Sequence, residues 1–388
     1  MRTVSLMIAG LLLFQAGFVA QESPPSKRMV QVDFEAAQLD EVFARMAKQL
    51  GYKVLLSKSV DPDTEVTMVL GAVSPEVAFA LLAHELDLAI ELHSDRKLIE
   101  VDEEGGGYTF YGPYTYDITK LSASFYAANA VLGPPPKRDA ELPPARESDC
   151  ISDLRTAMHW ALGLEPRHTA GVGDAAATCW TKSRERVELE ELIGLLSSDG
   201  GGQSTWLKLQ SETWKKMKES QMVLAVQAQT LSEVVAVLSE KLAAPFLISR
   251  ELLYSETDTC SLDLPELTFL DTLRVVCRQY HARPFLIGNV VYLVRDDDHL
   301  SSYPQIGYAV YNVAQLIEDL KTKSAVKSDT LGRDLRQQVM DLLETAILNG
   351  DDSDIGPVDF GTRILVRGDM QVQEIVQKQL IALGWKPS

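Results

Sequence analysis

One feature limits what this chain can fold into more than any other: it repeats itself. Leu39-Asp-Glu-Val-Phe43 returns 192 residues later as Leu231-Ser-Glu-Val-Val235. Val54-Leu-Leu-Ser57 returns at the same offset as Phe246-Leu-Ile-Ser249. Lys97-Leu-Ile-Glu-Val101 is followed at an offset of 193 by Val290-Val-Tyr-Leu-Val294, and Tyr116-Asp-Ile-Thr-Lys-Leu121 at 195 by Tyr311-Asn-Val-Ala-Gln-Leu316. A near-constant offset implies two tandem copies, about residues 28–197 and 221–388.

Within each copy, hydrophobic period gives the order of elements. Val30, Val32 and Phe34 alternate with polar residues as in a strand. Leu39, Val42, Phe43, Met46 and Leu50 fall at helical spacing, and Gly51 suits a helix stop. Tyr52, Val54 and Leu56 alternate, as do Val66, Met68 and Leu70. Ser74-Pro75-Glu76 opens a second helix, with Ser as cap and Pro in the first turn. Strands at Leu88–Leu92 and Leu98–Val101 close the unit. The second copy reads the same way, with strands at Val223–Ala228, Phe246–Ser249, Cys260–Leu264, Pro284–Ile287 and Val290–Val294. Its helices are about Leu231–Leu242 and Leu267–Tyr280, and Gly288-Asn289 is a hairpin turn. The expected fold class is α+β: tandem small modules, each a short mixed sheet with helices packed on one face.

Each copy continues into a second module. The first begins with a strand over Tyr114–Leu121 and carries a Pro-rich insertion, residues 131–146, too Pro-dense for regular structure. A helix (Ile151–Leu162), a strand (Ala175–Lys182) and a helix (Val187–Leu196) follow. The second has a strand over Tyr308–Leu316, a helix over Leu331–Leu348, a strand over Thr362–Val366 and a helix over Val372–Leu383. The organisation is therefore residues 28–104 and 112–197, a linker 198–220 whose opening stretch through Ser204 is flexible by composition, then 221–297 and 305–388.

Residues 1–20 combine one positive charge, an apolar run from Leu6 to Phe14 and a terminal Ala, the pattern of a secretory signal peptide. No apolar run reaches the roughly 18–20 residues of a membrane helix. The formal net charge of −18 opposes binding to phosphate backbones, so nucleic acid is not an expected partner.

The residues also carry a family resemblance. Phe34-x-x-x-x-Leu39, Leu39-x-x-Val42-Phe43, the Val54–Ser57 strand, Val77-x-x-x-Leu81-Leu82 and the closing pair around Leu98–Val101 resemble the secretin and TonB short N-terminal domain, STN. Residues 222–294 fit the same pattern, with Leu262-x-Leu264 and Asn289-Val290-Val291. The second modules more loosely resemble the ring-building domains that follow STN in secretins. The secretin barrel and the transducer plug and barrel have no counterpart here. The resemblance implies a periplasmic location, reached through the signal peptide, with secretion into the medium as the other outcome of export. It also implies protein surfaces as ligands.

The search for chemical sites is mostly negative. His84, His93, His159, His168, His281 and His299 form neither H-E-x-x-H nor an i, i+4 pair, so no metal or cofactor is expected. Gly171-Val-Gly-Asp-Ala-Ala176 matches a dinucleotide fingerprint in letters, but a strand follows it where a helix is required. Asp351-Asp-Ser-Asp354 and Asp296-Asp-Asp-His299 lack the spacing of a calcium loop and read as solvated loops. Cys260–Cys277 and Cys150–Cys179 are feasible disulfides after export, with four buried thiols the alternative. Trp206, Lys208, Trp214, Lys215, Lys216 and Lys218 form a basic, aromatic patch. It is either a partner-binding surface or a linker helix docked on its neighbours.

Three functions fit. The first is a non-enzymatic envelope adaptor that docks to a secretin-type channel or to further copies of itself. The second is a periplasmic ligand-binding sensor, and the third an envelope hydrolase with its site between modules.

Overall fold

The structure is a computed structural model. It describes residues 29–93, 96–103, 112–132, 153–158, 169–171, 176–181, 183–254, 259–296, 307–325, 328, 331–348 and 357–387. The α+β class holds: short sheets and helices alternate along the described residues.

Four groups of elements follow one another, here 1a, 1b, 2a and 2b. In 1a come β1 (Val30–Gln38), α1 (Leu39–Leu50), β2 (Lys53–Leu56), β3 (Glu65–Val73), α2 (Pro75–Glu85), β4 (Leu88–His93) and β5 (Leu98–Glu103). In 1b come β6 (Gly112–Asp117), α3 (Thr119–Leu132), α4 (residues 153–158), β7 (Thr169–Gly171), β8 (Ala176–Thr181) and α5 (Ser183–Ser197). Then β9 (Gly201–Gln203) and α6 (Thr205–Glu219) lead into 2a. There, β10 (Gln221–Gln229), α7 (Leu231–Leu242), β11 (Phe246–Ile248), α8 (Arg250–Tyr254), β12 (Cys260–Thr268), α9 (Phe269–Gln279), β13 (Ala282–Ile287) and β14 (Val290–Arg295) follow in order. Finally 2b holds β15 (Tyr308–Asn312), α10 (Ala314–Lys323), α11 (Leu331–Leu348), β16 (Pro357–Phe360), β17 (Arg363–Arg367) and α12 (Met370–Leu383).

Modules 1a and 2a share topology down to backbone detail. Each has an antiparallel two-stranded ribbon, β1–β3 or β10–β12, and a three-stranded sheet ordered β2-β5-β4 or β11-β14-β13. In both sheets one outer strand runs parallel to the centre and the other antiparallel. Ala36 and Ala228 both have φ 46°, and Asp87 and His281 both have φ 51°. Non-glycine residues rarely hold such angles, so their recurrence marks one backbone used twice. At each alanine a hydroxyl opposite takes the amide freed by the irregular pairing. Ala36 N–H donates to Thr67 Oγ1 (3.0 Å) and Ala228 N–H to Ser261 Oγ (2.9 Å).

Modules 1b and 2b repeat in the same way, as β6-β8-β7 and β15-β17-β16. The expected opening strands over Tyr114–Leu121 and Tyr308–Leu316 stop short, at Asp117 and Asn312. The cause is local. Asp117 Oδ1 accepts from Thr119 N–H (2.9 Å) and Asn312 Oδ1 from Ala314 N–H (3.0 Å), and each turns the chain into a helix.

The linker also departs from expectation. Gly201–Gln203 is a strand on the free edge of β15 rather than a flexible tether, while α6 is the docked linker helix, one of the two readings of the basic, aromatic stretch. Glycine makes the approach feasible: Gly201 has φ +71°, and a Cβ there would lie 2.1 Å from Val310 O. The proline insertion, apart from residues 131–132 at the end of α3, lies outside the described residues.

Each sheet packs its own helices on one face. The sheets of 2a and 2b carry a second layer as well, supplied by helices of the front copy. Val77 and its α2 neighbours share a core with Phe285, Ile287, Val290, Tyr292 and Val294. Phe125, Leu189, Leu192 and Leu196 share one with Tyr308, Val310, Phe360 and Leu365.

Candidate functional site

The extensively built surfaces of this molecule are the joints between its two copies. The first joint places α2 on the outer face of the β11–β14–β13 sheet. Helix α2 buries Val77, Ala78, Phe79, Ala80, Leu81 and Leu82, so it is apolar nearly all round, as a helix with neighbours on two sides must be. Gly288 sits directly under it: a Cβ there would meet Val77 Cγ2 at 2.2 Å. His84 packs edge-on to the Tyr292 ring, with centroids 5.8 Å apart. The Tyr292 hydroxyl donates to Glu85 Oε1 (2.5 Å), and the Arg250 amide donates to Glu85 Oε2 (3.0 Å). Burial pushes the Glu85 carboxyl above its ordinary value, and these two hydrogen bonds offset part of that rise.

The second joint places α3 and α5 on the outer face of the 2b sheet. Phe125 and Phe360 stack at an angle with centroids 4.9 Å apart. Arg363, almost wholly buried, reaches across to Ser124 Oγ and to Ser198 O (3.4 Å). Burial pulls its guanidinium below the ordinary value, with Asp199 opposing. The Tyr308 hydroxyl donates to Glu188 O (3.2 Å), and burial holds its pKa far above the usual phenol range.

The basic, aromatic patch is resolved into two halves by α6. Trp206 and Trp214 face inward and are buried, while Lys208, Lys215, Lys216 and Lys218 are exposed. Trp214 Nε1 donates to Glu374 Oε1 (2.8 Å), and Lys218 Nζ holds both oxygens of the same carboxylate (2.7 and 2.8 Å). Ser204 Oγ accepts from Tyr308 N–H (3.0 Å), and Glu191 Oε1 takes the Thr205 amide and hydroxyl. The aromatic half is thus a staple tying 2a to 2b, and the cationic half is a solvated helix face. Its helical stripe (Trp206, Leu207, Gln210, Trp214, Met217) was readable in the sequence.

Cys260 and Cys277 stand as separate thiols in the structure. The Cys260 thiol bonds the Tyr280 hydroxyl (2.9 Å), and burial pushes the Cys277 thiol up to about 12, which makes it a poor nucleophile. Cys150 lies outside the described residues, and Cys179 is on β8.

The histidines do not converge. His84 lies in the first joint, and His281 is exposed on the turn before β13 beside Asp296 (3.6 Å). His93 on β4 contacts Glu100 (3.1 Å) and Glu91 (3.6 Å), a cluster on the outer face of the 1a sheet along which α5 packs. Ser59 Oγ donates to Asp102 Oδ1 (2.7 Å) on that sheet, which lowers the Asp102 pKa. His159, His168, His299 and Asp351–Asp354 lie outside the described residues. Gly171 ends β7 and Ala176 opens β8, so the glycine motif sits between two strands. Among the described residues no group of three or more His, Cys, Asp and Glu is arranged to hold a metal, and no helix is long and apolar enough to cross a membrane.

Sequence reading missed Glu85, Tyr292, Arg363 and Ser198. The signal for the joint was present in the unbroken apolar run Val290–Val294, whose match in strand register is Leu98-Ile-Glu-Val-Asp102, at an offset of 192 rather than the 193 that aligns it with Lys97–Val101 in the sequence.

No family model matches the chain, and no curated protein does. Several solved structures are similar at low level. One is the N-terminal domain of the secretin XcpQ from Pseudomonas aeruginosa, with 10% identity over 43% of this chain and 100% of that one, and a TM-score of 0.16. A dimeric cysteine mutant of that same domain aligns over 42% and 100%, with 10% identity and a TM-score of 0.17. The structure titled XcpQN012 aligns over 65% and 97%, with 10% identity and a TM-score of 0.18.

Proposed function

We propose that this chain is an exported, non-enzymatic adaptor of the cell envelope, a tandem pair of STN-like modules each followed by a secretin N-domain-like module. It acts by docking to other macromolecules, as the periplasmic part of a secretin or TonB-dependent transducer does. One observation carries the reading. The modules meet their neighbours by laying helices on the outer face of the next sheet, at both joints of the molecule. A fold whose sheets accept a second layer is suited to engaging surfaces rather than small substrates.

The full mature chain, tagged and returned to envelope extracts, should retain a discrete protein, with crosslinks on the exposed faces of the four modules. Retention of nothing, together with a saturable melting shift on adding a small molecule, would move the reading to the sensor. Substrate turnover abolished by changing His93 or Glu100 would move it to an enzyme.

A further inference from the structure

The first joint needs two surfaces, the outward side of α2 and the outer face of the β11–β14–β13 sheet. Both copies contain a version of each, so such a joint could propagate from chain to chain, as stacked repeats do. Strand register shows what stands on the unjoined versions. On the sheet, Leu247, Phe285, Ile287, Tyr292 and Val294 of 2a correspond to Leu55, Glu91, His93, Glu100 and Asp102 of 1a. The joined face is apolar, whereas the unjoined one carries three carboxylates.

The helices change in the opposite direction. Ser74 and Thr268 cap α2 and α9 by the same bond to the third residue on, which aligns the two helices. Val77, Ala80 and His84 then correspond to Asp271, Arg274 and Arg278. Asp271 and Arg274 form an exposed ion pair (3.3 Å), and Arg274 also reaches Gln371 of α12 (2.9 Å). Helix α5 packs along β4 at the front, and α6 packs on α9 at the rear. The second joint follows suit: Val310 is buried in it, and its counterpart Thr115 is exposed.

We infer that the joint is a one-step interface, sealed by charge at both outer ends, so that the chain works as a single copy and its partner is a different protein. The helix that a second step would lay on the 1a face is α9, so Glu91, Glu100 and Asp102 would lose water together with Asp271, Arg274 and Arg278. Desolvating charge on both surfaces offsets what the new ion pairs return, whereas the apolar joint gains outright. The identity of the partner as a protein rests on the adaptor reading; the sealing does not.

Sedimentation velocity on the mature chain, over a hundredfold concentration range and at low and physiological salt, should give one species of single-chain mass throughout. A concentration-dependent ladder would overturn the inference. The variant Glu100→Tyr/Asp102→Val/Asp271→Val/Arg274→Ala restores the joined residues on both surfaces, at half-buried sheet positions and on an exposed helix face, and should make the chain self-associate within that range. If the variant folds, by circular dichroism, and stays single, charge is not the seal. If it does not fold, hydroxyl footprinting of the natural chain decides: Lys53 and Leu55 should stay reactive at the highest concentration, and their protection would overturn the inference. A chain that stays single yet retains no envelope protein would defeat the adaptor reading alone.

Discussion

The sheets of 1a and 2a are the same object on one face and different objects on the other. Inward, Val54, Ile99 and Val101 match Phe246, Val291 and Leu293, all apolar and packed on their own helices. Outward, Glu100 and Asp102 stand where 2a has Tyr292 and Val294. The fold of a module needs only its inner face. The outer face records what lies next to it: water and α5 in one case, a helix of the other copy in the second.

That difference is sharpest at Tyr292 and Glu100, which occupy one register position in the two copies. Tyr292 is 1% exposed and holds Glu85, so Tyr292→Ala removes a packed ring from the middle of the joint. Unfolding in denaturant should show a loss of about 3–5 kcal/mol. Glu100→Ala on the partly exposed face should cost less than about 1 kcal/mol. Equal costs would mean that the outer faces are not energetically distinct.

The second joint supplies the next test. Arg363 pairs with Asn312 across β17–β15, and the matching position in 1b, opposite Asp117, is Ala176. One copy thus has a buried guanidinium spanning two modules where the other has a methyl group. Arg363→Ala removes the bonds to Ser124 Oγ and Ser198 O and should cost about 2–3 kcal/mol. Arg363→Lys should not restore it, since a single ammonium cannot reproduce the fork that reaches both acceptors. A thermal melt of the three proteins would rank them.

Much of the inner face was legible in the sequence. Helix α11 spans the same residues, Leu331–Leu348, that its spacing indicates, and Gly288-Asn289 is the hairpin turn it reads as, with Gly288 at φ 58°. The outer faces were not. An unbroken apolar strand says that both sides are covered, yet it does not say by what, and α2 lies about two hundred residues from β14. Strand β9 was hidden for another reason. Glycine-rich sequence normally signals freedom, but here the missing side chains are what let Gly201 and Gly202 lie against β15. Asp117 and Asn312 ended their strands through one side-chain hydrogen bond each, too local for hydrophobic period to register.

Glu85 gives the first joint a pH dependence with a definite sign. Its carboxyl is raised above the ordinary 4.5 by burial, so the neutral form suits the folded state better than it suits the unfolded chain. Stability contributed by this group is therefore present below pH 4.5 and is lost as pH rises through the folded-state value. In Glu85→Gln the amide oxygen still accepts from one donor, and the amide nitrogen can donate to the Tyr292 hydroxyl, while the charge is gone. The gap between Glu85→Gln and the natural chain should open in favour of the variant as pH rises from acid to neutral. A gap independent of pH would show that Glu85 is not the titrating group.

The smallest effect separates the two halves of α6. Lys208, Lys215 and Lys216 face solvent, and Lys216 pairs with Glu212 one turn away (3.2 Å). Changing each to Ala should move stability by no more than about 0.5 kcal/mol. Trp214, one residue before Lys215, is buried and tied to Glu374, so Trp214→Ala should cost about 3–5 kcal/mol. The contrast tests what the helix is for. If the lysine changes leave stability untouched but abolish capture of an envelope protein, α6 is both staple and docking face, on opposite sides. If capture also survives, the cationic face serves solvation alone, and docking belongs to the exposed faces of the four modules.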